Sequence, residues 1–322
     1  MKVIVTGAAG FVGSNLVKAL LSEGHNVIGI DNFSYGYKRN IEPYANDSRF
    51  QFIEGDVNNP DLFKSIKGDA LVHLASQKIP RYTNAYKTLE DNNVMLKNVV
   101  NKCKQDKIKL VFASTSDVYG KNTELPFTEN SSLVMGPPTV KRWAYAISKL
   151  YSEQYIFATS EEFGLEFTIT RFFGSYGPNQ NMTWWGGPQS VFIQNIIEGK
   201  PIELHGDGLQ TRTFTYVEDT VQGVMKCIFH PASKNEVFNI ANNPTEEITI
   251  KDLAYLIWDL MKGKDTTPDV KLIPYAAFGN YEDVRRRVPS IEKIKTMLDY
   301  EPKFMMREGL QKAIEWQIKN QE

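Results

Sequence analysis

Short apolar runs alternate with segments of helical periodicity through the first half of the chain. The run Lys2–Thr6 is rich in β-branched residues and stops at glycines, which is typical of a buried parallel strand. Phe11–Leu21 follows with apolar residues at helical spacing, and Asn26–Asp31 is a second buried run. Because strands alternate with helices, the pattern predicts right-handed βαβ units and a doubly wound parallel sheet.

The alternation continues to about residue 176. We expect further strands at Phe50–Ile53, Ala70–Ala75, Leu110–Ala113 and Phe167–Arg171, and helices at Val94–Cys103 and from about Tyr145 onward. Residues 179–189, NQNMTWWGGPQ, are rich in Gly, Pro and aromatic residues and therefore predict a loop.

The second half of the chain lacks a regular strand–helix alternation. It shows short strands at Ile202–His205 and Phe238–Ala241, and helices at Ile250–Met261 and near Arg307–Lys319. Thr249 and Asp252 resemble a capping box for the first of these helices. We therefore expect an α/β fold in two parts: residues 1–176, and a smaller mixed α/β lobe at 177–322 from which some later strands return to the first part.

Composition narrows the class of protein. The chain has 322 residues, 42% of them hydrophobic, and a net charge of −1, which favours a folded protein and gives no basic surface for nucleic acid. Cys103 and Cys227 are unclustered and the four histidines are scattered, so we expect no disulfide framework and no metal site. Neither a signal-peptide core nor a membrane-length apolar run is visible, which predicts a cytoplasmic protein without a membrane partner.

Three glycines follow the first strand with the spacing G-x-x-G-x-x-G. Gly7 permits a tight turn, Gly10 lets the backbone approach a pyrophosphate, and Gly13 lets helix and strand pack closely. Asp31 ends the next strand, where a carboxylate binds a ribose 2′-hydroxyl and repels a 2′-phosphate. Residues 1–176 are therefore predicted to be a Rossmann domain that binds NAD in preference to NADP.

Further residues near the strand ends complete the predicted cofactor site. Lys38 and Arg39 weaken the preference for NAD, since both are cations close to Asp31. Asp56 either contacts the adenine or caps the next helix. The remaining candidates for cofactor binding are Phe11, Val12, Asn32, Val57, Leu74, Ala75, Ser76, Asn93, Ser114, Tyr145 and Lys149.

Tyr145 and Lys149 lie four residues apart and so share one helix face. An ammonium beside a phenol lowers the pKa of the phenol, which makes Tyr145 a base for an alcohol whose carbon loses hydride. Thr115 or Ser114, at the carboxyl end of a strand, can hydrogen-bond the same alcohol. The alternative is an amphipathic helix with a packed tyrosine and a surface lysine.

A set of motifs runs through nearly the whole chain: TGAAGFVG, GDV, HLAS, STSDVYG, YAISK, RFFGSYGP and GDGLQTRTFTYVEDT. This set resembles the extended short-chain dehydrogenase/reductases that modify nucleotide sugars. The resemblance implies an NAD-dependent enzyme acting on a nucleotide diphosphate sugar, with Tyr145 as the base at the C4 hydroxyl, Lys149 on the nicotinamide ribose and Thr115 orienting the sugar. It also implies a homodimer formed by the helices around residues 94–103 and 145–157.

The same resemblance implies a substrate site. Arg212 and an arginine of RRRVPS would bind the diphosphate, Arg287 aligns with a residue that acts on the substrate, and Arg142 lies on the sugar side or pairs at the surface. The further substrate candidates are Lys78, Asn179 and Gln189. Within the family, GPPTVKRWAYAISK is most similar to UDP-glucuronate decarboxylases and UDP-apiose/xylose synthases.

Three reactions can follow oxidation at C4: return of hydride to the other face, elimination of water, or loss of CO₂ from a uronate. Ser116 and Asp117 stand where dehydratases carry Asp or Ser before Glu, so a 4,6-dehydratase is the main prediction. A 4-epimerase and a uronate decarboxylase are the alternatives, and a non-catalytic NAD sensor is disfavoured by the Tyr–Lys pair. Decarboxylation requires cations, for which the candidates are Arg142, Arg287, Lys78 and Arg81.

Three features depart from the family pattern or lack a counterpart in it. Asn179 stands where uronate-using relatives often have Arg, and Gly174 stands where most relatives have Asn. Trp184 and Trp185 either stack on the sugar or base, or pack the lobe.

Overall fold

The computed structural model describes residues 1–78, 84–279 and 282–321. The strands are β1 Lys2–Thr6, β2 Asn26–Asp31, β3 Phe50–Glu54, β4 Ala70–His73, β5 Lys109–Thr115, β6 Phe167–Phe172, β7 Ser175–Tyr176, β8 Ile202–His205, β9 Thr211–Thr213, β10 Thr215–Tyr216, β11 Glu236–Ile240, β12 Glu247–Thr249, β13 Val270–Ile273 and β14 Arg286–Arg287. The α-helices are α1 Phe11–Ser22, α2 Ala85–Asp106, α3 Trp143–Phe163, α4 Pro188–Ile197, α5 Val217–Phe229, α6 Ile250–Lys262, α7 Glu292–Leu298 and α8 Met306–Lys319.

Within the described residues, seven strands form one parallel sheet in the order β11-β6-β5-β4-β1-β2-β3. Successive residues of a strand point to opposite faces, and β1 follows this rule: Val3 and Val5 join one apolar cluster while Ile4 joins another. Helices α1 and α5 pack on the first face and α2 and α3 on the second. The predicted doubly wound sheet is confirmed.

The predicted elements are present, with shifted ends. The helix predicted at Val94–Cys103 is much longer, because its polar first turns lie beyond the apolar pattern and the Asn84 side chain caps it by accepting from the Tyr86 N–H. The strand predicted to reach Ala75 ends at His73. The capping box is confirmed, since the Thr249 hydroxyl oxygen accepts from the Asp252 N–H at 2.9 Å.

In the part of the second half that the structure describes there are three small sheets, β7–β10, β8–β13 and β12-β9-β14, and this half also contributes a strand to the large sheet. Strand β11 pairs with β6 at the edge of the seven-stranded sheet. In the three-stranded sheet, Arg287 of β14 is paired in register with Arg212 of β9, so the two arginines lie side by side on neighbouring strands. Among the described residues, no helix is both long and apolar enough to cross a membrane.

Candidate active site

A cleft of about 840 Å³ lies at the carboxyl ends of the parallel strands, between the large sheet and the smaller lobe. Gly7 has a positive φ of 73°, and its N–H donates to the Ile30 carbonyl at 2.8 Å. A side chain at Gly13 would overlap the Gly7 carbonyl group. The glycine loop therefore provides a cradle of bare backbone at the start of α1, as a pyrophosphate requires.

Asp31 closes this cradle from the end of β2. Its carboxylate accepts from the N–H groups of Phe33 at 2.8 Å and Ala9 at 3.0 Å. Burial raises the pKa of Asp31, and these two backbone donors offset part of that rise. The carboxylate is thus fixed at the cleft, where the ribose of a dinucleotide would lie.

Most predicted cofactor residues line the same end of the cleft. They are Gly7, Gly10, Phe11, Val12, Gly13, Asp31, Asn32, Asp56, Val57, Leu74, Ala75, Ser76, Ser114, Tyr145 and Lys149. Asn93 is not among the lining residues; its neighbour Asn92 holds the loop after β4, accepting from the Gln77 N–H at 2.8 Å. The capping alternative for Asp56 is wrong, because Asn59 caps the following 3₁₀ helix.

Lys38 and Arg39 do not line the cleft. The Lys38 ammonium lies 5.4 Å from the centre of the Phe33 ring, and the Arg39 guanidinium lies 4.7 Å from that of Tyr37. With these cations turned to aromatic rings and Asp31 at the cleft, the residues present fit NAD.

Tyr145 and Lys149 lie together on α3, facing the carboxyl end of β5. The hydroxyls of Thr115 and Ser76 lie close enough to the Tyr145 hydroxyl to lower its pKa as hydrogen-bond donors. The Lys149 ammonium donates to the Ala113 carbonyl at 2.8 Å and lies 5.9 Å from the centre of the Tyr145 ring. Both side chains line the cleft, so the alternative of a packed tyrosine and a surface lysine is wrong.

The predicted lowering of the Tyr145 pKa is also wrong for this structure. Burial raises that pKa above its ordinary value, and the nearby Asp117 carboxylate raises it further, while hydrogen bonds from Ser76 and Thr115 oppose the rise. Lys149 does not offset these effects, because burial lowers its own pKa to about 7. The sequence predicts that the two side chains share a helix face, but it does not show how completely the fold buries them away from water.

Asp117 lies between two arginines. It stands in the 3₁₀ helix Ser116–Tyr119, and its Oδ1 is 2.6 Å from Nη2 of Arg287 and 3.0 Å from Nη2 of Arg142. Burial alone would raise the pKa of Asp117, but Arg287, Arg142 and Arg212 outweigh burial and hold the pKa well below its ordinary value. Asp117 is therefore a paired carboxylate, and Ser116 accepts from Arg287 at 3.3 Å.

A second carboxylate, Asp283, completes this cluster and was missed by the sequence analysis. Its Oδ1 accepts from Arg142 at 3.0 Å and from Arg212 at 2.9 Å, while Oδ2 accepts from the Tyr275 hydroxyl at 3.0 Å. Arg212 lies on the central strand of its small sheet and is mostly buried, so it is not a solvated edge charge. Among the described residues of this cluster, three arginines against two aspartates leave one excess positive charge beside the cleft.

The other substrate candidates are less uniform. Lys78 and Asn179 line the cleft, and the Asn179 amide donates to the Ser14 hydroxyl at 3.1 Å. Gln189 is buried at the start of α4 and is not among the lining residues. Arg81 lies outside the described residues. Gly174 lines the cleft, and a Cβ there would lie 2.8 Å from the Phe214 ring, which leaves no room for an asparagine side chain.

The two tryptophans of the 179–189 loop contact different parts of the molecule. Trp184 stacks on His205 at 4.2 Å between ring centres and meets Phe192 edge to face. The ring centres of Trp185 and Tyr35 lie 4.2 Å apart, and Tyr35 belongs to the segment after β2. The 179–189 loop of the smaller lobe therefore contacts the predicted cofactor side of the cleft. Both tryptophans line the cleft and both pack against protein. Within the described residues, no group of three His, Cys, Asp or Glu side chains could hold a metal ion.

Comparison with known proteins agrees with this geometry. Residues 3–241 match the profile of the NAD dependent epimerase/dehydratase family. The chain is 34% identical to UDP-glucuronic acid decarboxylase 1 of Danio rerio over 98% of its own length and 72% of the relative. It is 30% identical to UDP-N-acetyl-alpha-D-glucosaminuronate decarboxylase of Bacillus cytotoxicus, over 97% and 96% of the two chains.

A similar solved structure is dTDP-glucose 4,6-dehydratase from Bacillus anthracis in complex with NAD. It is 28% identical, with a TM-score of 0.86 over 99% of this chain and 97% of the other. Proteins that carry out different reactions are thus similar to this chain over nearly its full length. The chain belongs to the NAD dependent epimerase/dehydratase family and is an NAD-dependent enzyme that modifies nucleotide sugars.

Proposed function

We propose that the protein decarboxylates a nucleotide-linked uronic acid, with UDP-glucuronate or its N-acetylglucosamine analogue as the first substrates to test. The observation that carries the proposal is the pairing of Asp117 with Arg287 and Arg142. The curated relatives described above are decarboxylases that match nearly the full chain, which supports this alternative over the predicted 4,6-dehydratase.

The pairing argues against Asp117 as the base of an elimination. A general base works best when its pKa lies near the working pH, and the two arginines hold the pKa of Asp117 below even its ordinary value. Loss of CO₂ needs no base at C5, because the electron pair of the broken C5–C6 bond stays on C5. The arrangement therefore suits decarboxylation better than removal of a proton from C5.

The same cluster supplies positive charge for an anionic sugar. Arg142, Arg212 and Arg287 exceed Asp117 and Asp283 by one charge, and the guanidinium forks match carboxylate and phosphate geometry. Asn179 does not add a cation where uronate-using relatives often have Arg, because it is a neutral amide bonded to Ser14. We therefore assign recognition of the uronate to the arginine cluster.

The first step oxidises the C4 alcohol. The glycine loop and Asp31 would hold NAD, which would supply the acceptor for the hydride from C4. Tyr145 acts here as a phenolate, a form that the positive charges of Lys149 and of the nicotinamide favour against the effect of burial. It takes the proton from the C4 hydroxyl, and Thr115 hydrogen-bonds the same oxygen. Lys149, held by the Ala113 carbonyl one turn away, places positive charge beside the tyrosine and the nicotinamide ribose. The product of this step is a 4-keto uronate.

The second step breaks the C5–C6 bond. The C6 carboxylate leaves as CO₂, and the electron pair of the broken bond forms an enolate across C5, C4 and the C4 oxygen. Tyr145, now protonated, and Thr115 donate to that oxygen and stabilise its negative charge. A proton added at C5 gives the 4-keto pentose, which either leaves or takes hydride back at C4.

The test is incubation with a panel of sugar nucleotides, followed by mass spectrometry of the product. We expect a UDP-uronate to give a product lighter by one CO₂, or by CO₂ and two hydrogens if the ketone leaves unreduced. Neutral UDP- and dTDP-hexoses serve as the comparison. A product lighter by one water from a hexose would establish the dehydratase, and turnover with unchanged mass would establish an epimerase; either result without CO₂ loss would overturn the proposal.

A further inference from the structure

Glu153 continues the helix face that carries Tyr145 and Lys149. It stands four residues beyond Lys149 on α3, and its side chain is almost completely buried. Its Oε1 accepts from Nε of Arg171 at 3.1 Å and its Oε2 accepts from Nη2 at 2.7 Å. The Ser114 hydroxyl donates to Oε1 as well. The carboxylate thus joins α3 to the ends of β5 and β6.

Arg171 extends this network to the other side of the reacting centre. Its Nη1 donates to the Tyr119 hydroxyl and to the Glu129 carbonyl, both at 3.1 Å. Tyr119 ends the 3₁₀ helix that begins at Ser116 and includes Asp117, and its hydroxyl donates to the Asn239 side chain at 2.7 Å. One buried ion pair therefore contacts the helix of the Tyr–Lys pair and the turn of Asp117.

We propose that Glu153 is a positioning residue for the reaction: held by Arg171 and Ser114, its carboxylate fixes α3, with Tyr145 and Lys149, against the strand that carries Thr115. The inference rests on the proposed function only in assigning Tyr145 and Lys149 to the oxidation at C4. It assigns no contact between Glu153 and the substrate, because Ser114 and Arg171 occupy its oxygens.

The groups around Lys149 explain why a buried carboxylate is needed there. From β4, His73 faces the lysine, and burial together with the Lys149 charge lowers the pKa of His73 to about 3, so it stays neutral. From β5, Lys149 meets the Ala113 carbonyl and the Phe112 ring, at 4.7 Å from its centre. On α3 itself, Tyr145 is a neutral phenol, and Glu153 is the charged group.

Burial and Glu153 act on Lys149 in opposite directions. Burial lowers the pKa of Lys149 to about 7, and the Glu153 carboxylate opposes that fall. Without the carboxylate, the pKa of Lys149 would be lower still, and less of the positive charge that stabilises a Tyr145 phenolate would remain. A merely structural Glu153 would hold Arg171 but leave the titration of Lys149 unchanged.

Two variants separate these roles. Glu153→Gln removes the charge but leaves Arg171 unpaired and buried, which is destabilising in its own right. The double variant Glu153→Leu/Arg171→Met removes both charges together, a change that is often neutral or stabilising in buried pairs. Asp106→Asn is the matched control, because Asp106 pairs with the buried Lys102 at 2.8 Å with the same four-residue spacing on α2, away from the cleft.

The measurement is NMR titration of lysine labelled at the ε carbon, with and without NAD, assigned through Lys149→Met. Steady-state kinetics accompany the titration, and we expect Glu153→Gln to lower kcat by about 10-fold or more with little change in KM, because a small displacement of the Tyr145–Lys149 pair slows the reaction. Loss of the carboxylate should also lower the pKa of Lys149 and move the basic limb of kcat/KM down with it. In the double variant, loss of the Arg171 charge offsets part of that pKa change, so the fall in kcat is the readout there. Asp106→Asn should leave kcat and the pKa of Lys149 unchanged. A folded double variant with wild-type kcat and the wild-type pKa of Lys149 would overturn the inference, whereas failure to decarboxylate any uronate would leave the titration readable and count only against the proposed function.

Discussion

The Asp117 carboxylate lies 2.6 Å from Nη2 of Arg287, and this ion pair decides how the candidate site is interpreted. Both side chains are largely withdrawn from solvent, and Arg142 contacts the same carboxylate oxygen. A carboxylate in this position anchors guanidinium groups more readily than it abstracts a proton. The pairing is thus the structural reason to prefer loss of CO₂ over loss of water.

Replacing Asp117 by Asn tests this interpretation. If the carboxylate anchors Arg287 and Arg142, Asp117→Asn should raise KM for the uronate and lower kcat by about 10-fold or less, since the amide keeps one acceptor. A residue acting as the general base would instead lose on the order of 10²–10⁴ in kcat. Steady-state kinetics distinguish the two. Asp207→Asn, which disrupts the exposed pair with Arg285 at 2.8 Å, is the control.

Tyr145→Phe should remove the base at C4 while leaving NAD bound. We expect kcat to fall on the order of 10²–10⁴-fold, because a positioned proton acceptor contributes about that much. Calorimetric titration should give an unchanged NAD affinity. Tyr155→Phe on the same helix lies outside the cleft and should behave as wild type. Comparable activity in both variants would exclude Tyr145 as the base.

Lys149→Met should stabilise the protein at neutral pH while abolishing turnover. In the folded protein, burial lowers the pKa of Lys149 from its ordinary value of 10.5 to about 7. Below pH 7 the buried lysine is charged, and its destabilising effect on the fold is then greatest. Between pH 7 and 10.5 the lysine is protonated in the unfolded chain and largely neutral in the folded protein. The contribution of Lys149 to the free energy of unfolding of the wild type therefore rises with pH in this range. The melting temperature of the variant should exceed that of wild type by on the order of a few degrees at pH 7, with a margin that shrinks towards pH 10. An equal margin at every pH would contradict the account.

The sequence predicted the parts of the fold and site that local patterns determine. The glycine loop, Asp31 at the end of β2, and Tyr145 and Lys149 on one helix face all follow from spacing next to buried apolar runs. Glu153 was within reach of the same argument, since it repeats the four-residue interval once more.

Other features depend on contacts between distant segments and leave no local pattern. Asp283 precedes the run of arginines, but its role arises only because its loop packs against Arg142 and Arg212, more than 70 residues away in each case. The raised pKa of Tyr145 likewise reflects burial among several elements. Packing between distant segments therefore sets the electrostatics of the site and brings Asp283 into it. Local spacing predicts the glycine loop and the Tyr145–Lys149 pair.

The homodimer implied by the family resemblance remains a prediction. The exposed face of α3 carries Ile147, Tyr151 and Phe157, each more than a third exposed, and Leu89 of α2 adds to this apolar surface. We expect Tyr151→Glu to convert a dimer into a monomer, because a carboxylate would be buried without a partner. Light scattering after size-exclusion chromatography measures the mass, with Tyr255→Glu, an exposed tyrosine of α6, as the control. A monomeric wild type, or a dimer that survives the change, would contradict this prediction.

Release of CO₂ from a uronate labelled at its carboxyl carbon tests the central claim most directly. The protein is incubated with NAD and UDP-glucuronate, and separately with its N-acetylglucosamine analogue, each labelled at C6, and the evolved gas is trapped and counted against the Tyr145→Phe variant. The account predicts labelled CO₂ from at least one substrate with wild type and a large loss with the variant. The account would be contradicted if wild-type protein binds these uronates, or converts them into other sugar nucleotides, while all of the label stays in the sugar.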